Sequence, residues 1–357
     1  MRGGGYASRI VFTHTYEDII SVENLLAAWQ EFVRGKRQKR DVQDFQHRLM
    51  DNILALHRDL KNKTYRHGAY EAFKINDPKP RDIHKATVRD RLLHHALYRQ
   101  LYPFFDRTFI ADSYSCRKGK GTHKAMDRFR SFAYQASKNH TRTVWVLKCD
   151  IRKFFASIDQ AILLNIVEKY IPDKDINWLI SEIVVSFQTH TTMPIGRSVC
   201  MGRKGLPDQQ AGLPLGNLTS QLLVNIYMNE FDQFVKHKLK VKHYVRYADD
   251  FVVLSHDRAE LDRLLSKIES FLQDKLKLQL HPDKVSISTF ASGVDFLGWV
   301  HFPDHRVLRT STKRRMMRGI VGLEKDDMRV RSYLGLLLHG NAGRLAVCVD
   351  SLCTPLA

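Results

Sequence analysis

His243-Tyr244-Val245-Arg246-Tyr247-Ala248-Asp249-Asp250-Phe251-Val252-Val253-Leu254 places two β-forming runs on either side of Tyr-Ala-Asp-Asp. Such runs around so short a break predict a tight hairpin, with Asp249 and Asp250 at or beside its tip. Adjacent carboxylates repel unless a cation lies between them. The pattern points to a hairpin that holds a divalent metal. An ordinary Asp-rich turn is the alternative, and these four residues alone leave it open.

A third carboxylate shifts the balance. Val144-Trp145-Val146-Leu147-Lys148-Cys149-Asp150-Ile151-Arg152-Lys153-Phe154-Phe155 is an apolar run that ends in an acid and two aromatics. It predicts a buried strand presenting Asp150 at its carboxyl end, although a cap or strand-end turn is the plainer role for an aspartate. Carboxylates converging from two strands make an all-oxygen site of the kind Mg²⁺ takes, completed by waters and substrate phosphates. Two such ions stabilise the attacking and leaving oxygens of an in-line phosphoryl displacement. Joining nucleotides needs that arrangement.

Asp150 with Phe154-Phe155, then Gly212-Leu213-Pro214-Leu215-Gly216-Asn217-Leu218-Thr219-Ser220-Gln221, then Tyr247–Asp250, then Phe296-Leu297-Gly298-Trp299 stand in the order found in reverse transcriptases. The chain resembles that family from about Lys79 to Trp299 and more weakly beyond. The resemblance implies an α+β right-hand polymerase with a helical N-terminal extension (1–65), fingers (66–140), a palm of antiparallel sheet backed by helices (141–300, with a fingers-like insertion at about 160–211) and a short helical thumb (301–357). It implies RNA-directed DNA polymerase activity with two Mg²⁺ ions, Mn²⁺ being an alternative. Asp150 and Asp249 become the direct ligands, with Asp250 beside them and the Ile151 carbonyl added. Phe155 would lie under the sugar and exclude a 2′-hydroxyl by clash; packing in the core is its other reading.

Lys79 and Arg81 flank Pro80, and charges on a stiffened turn suit a triphosphate clamp, or are simply a solvated turn. Arg117, in a Gly-rich loop, resembles the next fingers motif. Lys284 is a candidate proton donor to the leaving pyrophosphate, or an exposed surface lysine. Phe296, Leu297, Gly298 and Trp299 resemble the primer grip, with Phe296 and Trp299 expected to serve the core as well.

Leu215 and Gln221 stand where most reverse transcriptases resemble Gln and Pro. With Gly216 they form the expected dNTP-binding element, and the pattern is similar to diversity-generating retroelement enzymes, which copy RNA with errors opposite adenine. An apolar side chain at 215 removes a hydrogen-bonding constraint near the templating base. An antiphage-defence reverse transcriptase with its own noncoding RNA is the alternative, and a non-catalytic RNA-binding scaffold a remote one. The implied partners are template RNA, a DNA or RNA primer, dNTPs, a small helical accessory protein and a structured noncoding RNA. The length is expected to leave no room for maturase, endonuclease, RNase H or integrase domains.

Composition agrees. The 57 Lys and Arg against 38 Asp and Glu give a formal charge of +19, which favours polyanion binding. Three dense basic stretches (34–40, 117–124 and 309–318) suggest a track along a duplex. Five cysteines lack metal-ligand spacing, so a reducing cytoplasm is expected. No run reaches the roughly 20 apolar residues of a membrane span, and no signal peptide is expected. Local patterns predict helices along 45–60, 92–101, from Thr122 (read as an N-cap), along 160–188 and 261–272. They predict strands at 71–75 and at Leu276, Leu278 and Leu280, with a loop over 189–211.

Overall fold

The computed structural model describes residues 11–76, 80–187 and 211–352. It divides into two compact units. One comprises Met1–Ile110, Arg152–Gln233 and Phe271–Gln279; the other comprises Ala111–Ile151, Phe234–Ser270 and Leu280–Ala357. The expected loop over 189–211, apart from its last residue, lies outside the described residues, as do Lys79, Cys200 and Cys353.

The first unit is mostly helical. Tyr16–Ile20, Val22–Phe32, Arg40–His47 and Leu49–Lys61 form the N-terminal helices. Their starts follow local chemistry: Thr15 and Asp18 close a capping box, and Ser21 accepts from the Asn24 N–H. A two-stranded hairpin follows, β1 (Glu71–Ile75) with β2 (Arg81–Lys85), paired from Glu71↔Lys85 to Ile75↔Arg81. The helix Val88–Asp106 begins at the Thr87 cap and buries Leu92, Leu93, Ala96, Leu97 and Leu101. The stretch expected to be helical over 160–188 is two helices, Gln160–Tyr170 and Lys174–Val185, with Asp159 and Asp173 as caps. Helix Leu218–Gln233 is buried nearly all round, polar side chains such as Thr219, Ser220, Asn225 and Asp232 included.

The second unit is built on a four-stranded antiparallel sheet of order β4-β5-β3-β6, with β3 Trp145–Cys149, β4 Tyr244–Tyr247, β5 Asp250–Ser255 and β6 Ser286–Thr289. The two central strands read as near-continuous apolar runs because both of their faces are covered. Helix Thr122–Ala136 supplies one cover: Ala125, Phe129, Phe132 and Ala133 share a core with Val146, Val245, Val252 and Leu254. A three-stranded meander follows, β7 Val294–Phe296, β8 Trp299–His301 and β9 Arg306–Leu308. Three helices close the chain: Thr310–Ile320, Met328–Leu337 and Gly343–Leu352. Met316, Ile320, Val330, Leu337 and Val349 pack on Trp299 and Leu308.

Two expectations are corrected. Leu276, Leu278 and Leu280 do not form a strand: the helix Arg258–Leu276 carries its 3.6-residue pattern through Leu276, and only Leu280 makes an isolated antiparallel bridge, to Ile151. Thr122 is not an N-cap. Gly121, at φ +115°, takes that position without a side-chain cap, and the Thr122 hydroxyl donates to Tyr247 Oη at 3.2 Å.

The meander and the terminal helices interlock through a glycine. A Cβ on Gly340 would come within 2.0 Å of Cζ3 of the buried Trp299 ring. Gly340→Ala is expected to cost about 1–3 kcal/mol, as overpacking does, read as a lower midpoint of thermal unfolding. An unchanged midpoint would contradict this packing.

Candidate active site

Register fixes where the acids stand. In the β3–β5 ladder Cys149 faces Phe251, so one further step sets Asp150 across from Asp250. Side chains opposite one another in an antiparallel pair have Cβ atoms roughly 4.5–5.5 Å apart. In the β4–β5 ladder Tyr247 faces Asp250, which leaves Ala248-Asp249 as a two-residue turn. The hairpin is thus tighter than the four-residue break in the sequence, with Asp250 already in the strand. Ala248 has φ +56°, a left-handed conformation that costs an L-residue roughly 1–2 kcal/mol and clusters at functional sites.

One cation holds this strained tip and a second meets Asp150. The wholly buried Arg246 donates through Nη1 to the Ala248 carbonyl (3.0 Å) and through Nη2 to Ser113 Oγ (3.1 Å). Its backbone is tied on both sides, its N–H to the Asp112 carbonyl and its carbonyl to the Tyr114 N–H, both at 3.0 Å. Lys284 places Nζ 2.8 Å from Asp150 Oδ1, from a short turn over Pro282–Lys284 that the His281 ring caps at the Asp283 N–H. The surface reading of Lys284 omits this ion pair. The His281 N–H closes on the Asp150 carbonyl at 2.7 Å, so the carbonyl expected to serve a metal, that of Ile151, is not the one spent there.

Gathering the acids has an electrostatic cost. Burial, then the charges of Asp249 and Asp150, push the Asp250 carboxyl up to about 6, against the pull of Lys148 and Lys284. An all-oxygen donor set under that repulsion fits a hard divalent cation. Among the described residues no three His, Cys, Asp or Glu side chains form a ready-made metal cage. Mg²⁺ sites that use one or two carboxylates plus waters and substrate phosphates do not require one.

The other expected residues fall into two groups. In the second unit, Arg117 donates from Nη1 to the Ser113 carbonyl (3.0 Å) and so braces its own loop. Phe296 and Trp299 are buried core aromatics. Leu297 (φ +52°) and Gly298 (φ +88°) form the turn between β7 and β8. Gly298 answers to that dihedral, since nothing among the described residues lies within 4 Å of a Cβ there.

In the first unit, Phe154 is buried and Phe155 half-buried, their rings edge-to-face at 5.6 Å. The Leu213 N–H donates to the Phe155 carbonyl (2.8 Å) and the Gly212 N–H to the Ile158 carbonyl (2.7 Å), which lays the Gly-Leu-Pro-Leu-Gly segment beside Phe155. That segment is clamped to β2: the His84 N–H donates to the Leu215 carbonyl and Asn217 Nδ2 to the His84 carbonyl, each at 3.0 Å. Gly216, at φ +108°, passes so close that a Cβ would meet Ile83 Cγ2 at 2.9 Å. Gln221 lies half-buried in the first turn of helix Leu218–Gln233, and Arg81 is exposed at the start of β2.

Sequence reasoning missed Arg246, Ser113, Thr122 and the His84 clamp. Only Arg246 carried a signal, as a charge inside an apolar strand.

The family model described as reverse transcriptase (RNA-dependent DNA polymerase) matches residues 74–301. Protein YkfC of Escherichia coli K12 is 24% identical over 276 residues, covering 68% of this chain and 67% of that protein. The group II intron-encoded protein LtrA of Lactococcus lactis is 22% identical, covering 88% of this chain and 61% of LtrA. The chain therefore spans about two thirds or less of these relatives. A solved apo telomerase from Candida tropicalis aligns at a TM-score of 0.48 with 12% identity, over 73% of this chain and 60% of that one.

Asp250 binds its proton more tightly in the fold, at about 6, than in an unfolded chain, at 3.8. Its ionisation therefore weakens the native state above about pH 6 and has no such effect below about pH 4. In chelator at pH 7.5, Asp250→Asn should raise stability by on the order of 2 kcal/mol, with the gain vanishing near pH 4. Coincident melting curves at pH 7.5 would contradict the clustering.

Proposed function

The chain belongs to the reverse transcriptase family, and from that premise we propose that it extends a primer 3′-hydroxyl with deoxynucleotides copied from RNA, as the error-prone polymerase of a diversity-generating retroelement. The observation that carries the polymerase reading is the meeting of Asp150, Asp249 and Asp250 at one end of the central strands, with a raised Asp250 carboxyl and a lysine on Asp150.

Asp150 and Asp249, with the Ile151 carbonyl, would hold two Mg²⁺ ions and Asp250 would stand beside them. Bound there, the ions supply charge for the attacking and leaving oxygens. Arg246 keeps the Asp249 turn in shape. Lys284 holds an ammonium at the site and is our proton donor for pyrophosphate. In the first unit, Phe155 excludes the 2′-hydroxyl, Arg81 and Lys79 take the triphosphate, and Leu215, Gly216 and Gln221 line the nucleotide. Phe296–Trp299 grip the primer end. We keep the division into extension, fingers, palm and thumb with borders near 65, 140 and 300.

The retroelement reading rests on Leu215. Its carbonyl is fixed by His84, so its side chain is presented on a rigid backbone and offers no hydrogen bond to a template base. An accessory protein and a structured RNA fit the basic stretches at 34–40 and 309–318, whose lysines and arginines are mostly exposed. Cys116, Cys149 and Cys348 are free thiols, in keeping with a cytoplasmic setting. No described helix is long and apolar enough to cross a membrane.

Asp150→Asn and Asp249→Ala should each lower Mg²⁺-dependent primer extension by about a thousandfold or more, with RNA affinity nearly unchanged; synthesis retained in both variants would overturn the site. Phe155→Ala should admit ribonucleotides, and unchanged sugar selectivity would move the gate elsewhere. Leu215→Gln should cut misincorporation opposite adenine several-fold in sequenced complementary DNA, and an error spectrum without adenine bias in the parent would favour the antiphage-defence reading.

A further inference from the structure

A cavity of about 300 Å³ opens at the end of the β4–β5 hairpin remote from the acids, and all of its lining residues belong to the second unit. The β4–β5 ladder runs from Tyr244↔Val253 to Tyr247↔Asp250. His243, in the cavity wall, therefore stands roughly 15 Å of strand away from the Ala248-Asp249 turn. Val253, Leu254 and Leu264 contribute apolar surface. Arg142, Lys240 and Lys242 bring three permanent positive charges, His243 and His256 two imidazoles, and Glu260 the one acid.

Those cations are unanswered. Arg258, Arg263 and Lys236, close by in the sequence, pair with Asp262 (4.0 Å), Asp257 (3.4 Å) and Asp112 (3.2 Å). Arg142 donates from Nε to the Ala136 carbonyl (2.7 Å), and among the described residues none of Arg142, Lys240 and Lys242 meets a carboxylate. Glu260 accepts from the Ser255 hydroxyl instead. Burial first, then Lys236 and Lys242, with Arg142 adding to them, hold the His243 imidazole below its ordinary range, which marks this wall as positive. The loops that carry the cations are strained as well. Lys138, Asn139 and His140 follow one another at φ +49°, +62° and +61°, and Lys240 has φ +57°. Such residues persist only where the surroundings over-determine them. Buried Ser137 ties the first loop, its hydroxyl accepting the His140 N–H (2.8 Å) and its carbonyl the Arg142 N–H (3.1 Å). Lys236 ties the second, donating from Nζ to the Lys242 carbonyl (2.9 Å). Like charges gathered on strained loops cost the lone chain stability and gain it once an anion arrives.

The sequence around the cavity says what kind of anion. Lys236-His237-Lys238-Leu239-Lys240-Val241-Lys242-His243 holds six basic residues in eight and no acid. One isolated phosphate is served by one or two of these. The alternation of exposed Lys238, Lys240 and Lys242 suits a repeating polyanion. We propose that the cavity and its adjoining lysines dock the backbone of an RNA segment on the second unit, away from the carboxylates, with one phosphate seated among Arg142, Lys240 and Lys242. Arg142 can grip that phosphate with a planar fork, while the lysines act as mobile point charges. That the ligand is a polyanion follows from the charges; that it is RNA rests on the polymerase reading. Chemistry at the acids and attachment of the RNA are then held at opposite ends of one hairpin.

The test is lysine footprinting of the full chain. Acetylation by a soluble activated ester is mapped by mass spectrometry with polyuridylate, with uridine triphosphate at matched phosphate, and with polyglutamate at matched charge. Polyuridylate should slow acetylation of Lys240 and Lys242 about fivefold or more, and should leave Lys267 and Lys275, exposed on helix Arg258–Leu276, nearly unchanged. In the double variant Lys240→Gln/Lys242→Gln the slope of log affinity for polyuridylate against log salt should shrink by roughly 1–1.5. Its melting curve should match the parent's, since both side chains are exposed. The charge-matched pair Lys267→Gln/Lys275→Gln should leave the slope as it is. Unprotected Lys240 and Lys242, equal protection of Lys267 and Lys275, or a slope that falls as far in the control pair overturns the proposal. Protection by uridine triphosphate or polyglutamate equal to that by polyuridylate also overturns it, in favour of a free nucleotide or an acidic protein. Primer extension by the parent is scored separately. Extension with unprotected lysines sinks this inference alone, whereas absent extension with protected lysines sinks the polymerase reading and leaves the RNA dock standing.

Discussion

Like-charge repulsion among Asp150, Asp249 and Asp250 is the constraint around which the second unit is organised. Three carboxylates do not gather spontaneously; sheet register forces them together. β3 lies between β5 and β6 in a fixed antiparallel ladder, and a slip of one residue would send Asp150 to the opposite face and bury Cys149 wrongly. The price of this arrangement is visible in the raised Asp250 carboxyl. It is borne by the packed core beneath, where Phe129, Val146, Val245 and Val252 are fully buried.

Two basic residues answer that repulsion in different ways. Lys284 neutralises, with its ammonium on Asp150. Arg246 shapes, with a planar fork that reaches a turn carbonyl and a serine hydroxyl at once. A lysine could not make both bonds with fixed geometry. The left-handed Ala248 is tolerated because Arg246 over-determines its carbonyl, much as the Gly-Leu-Pro-Leu-Gly segment is held by the His84 backbone in the first unit. In both places the restraint falls on backbone carbonyls, those of Ala248 and Leu215.

The chemistry of the site was legible because it lies in contiguous words. Asp249 and Asp250 are neighbours, Asp150 ends an apolar run, and the hairpin is encoded by alternation. What could not be read depends on contacts between distant segments. Ser113 meets Arg246 across 133 positions and Thr122 meets Tyr247 across 125. Nothing local marks a serine as the partner of a buried arginine. Thr122 looked like a cap because threonine often is one; its hydroxyl instead has a stronger claim from a tyrosine that only the fold brings near. Leu278 and Leu280 alternate as a strand would, yet the preceding helix consumes the chain up to Leu276 and leaves too few residues before the turn at Pro282.

The charge of the chain is partitioned in a way that separates binding from chemistry. Lys313, Arg314 and Arg318 are exposed on helix Thr310–Ile320, whose Met316 and Ile320 face the core, and Arg34, Arg37, Lys39 and Arg40 are exposed near the N-terminus. Interactions of such groups with a phosphate backbone are screened within about 8 Å at physiological salt and weaken steeply as salt rises. Asp150 and Arg246, by contrast, are 13% and 0% exposed, and interactions of groups held that far from solvent are screened far less. Nucleic acid held on such exposed groups, as proposed above, would bind in a salt-sensitive way while the geometry of the carboxylates stays constant. The polymerase proposed above would need that separation, because tight specific contacts along a duplex would hold it in one register.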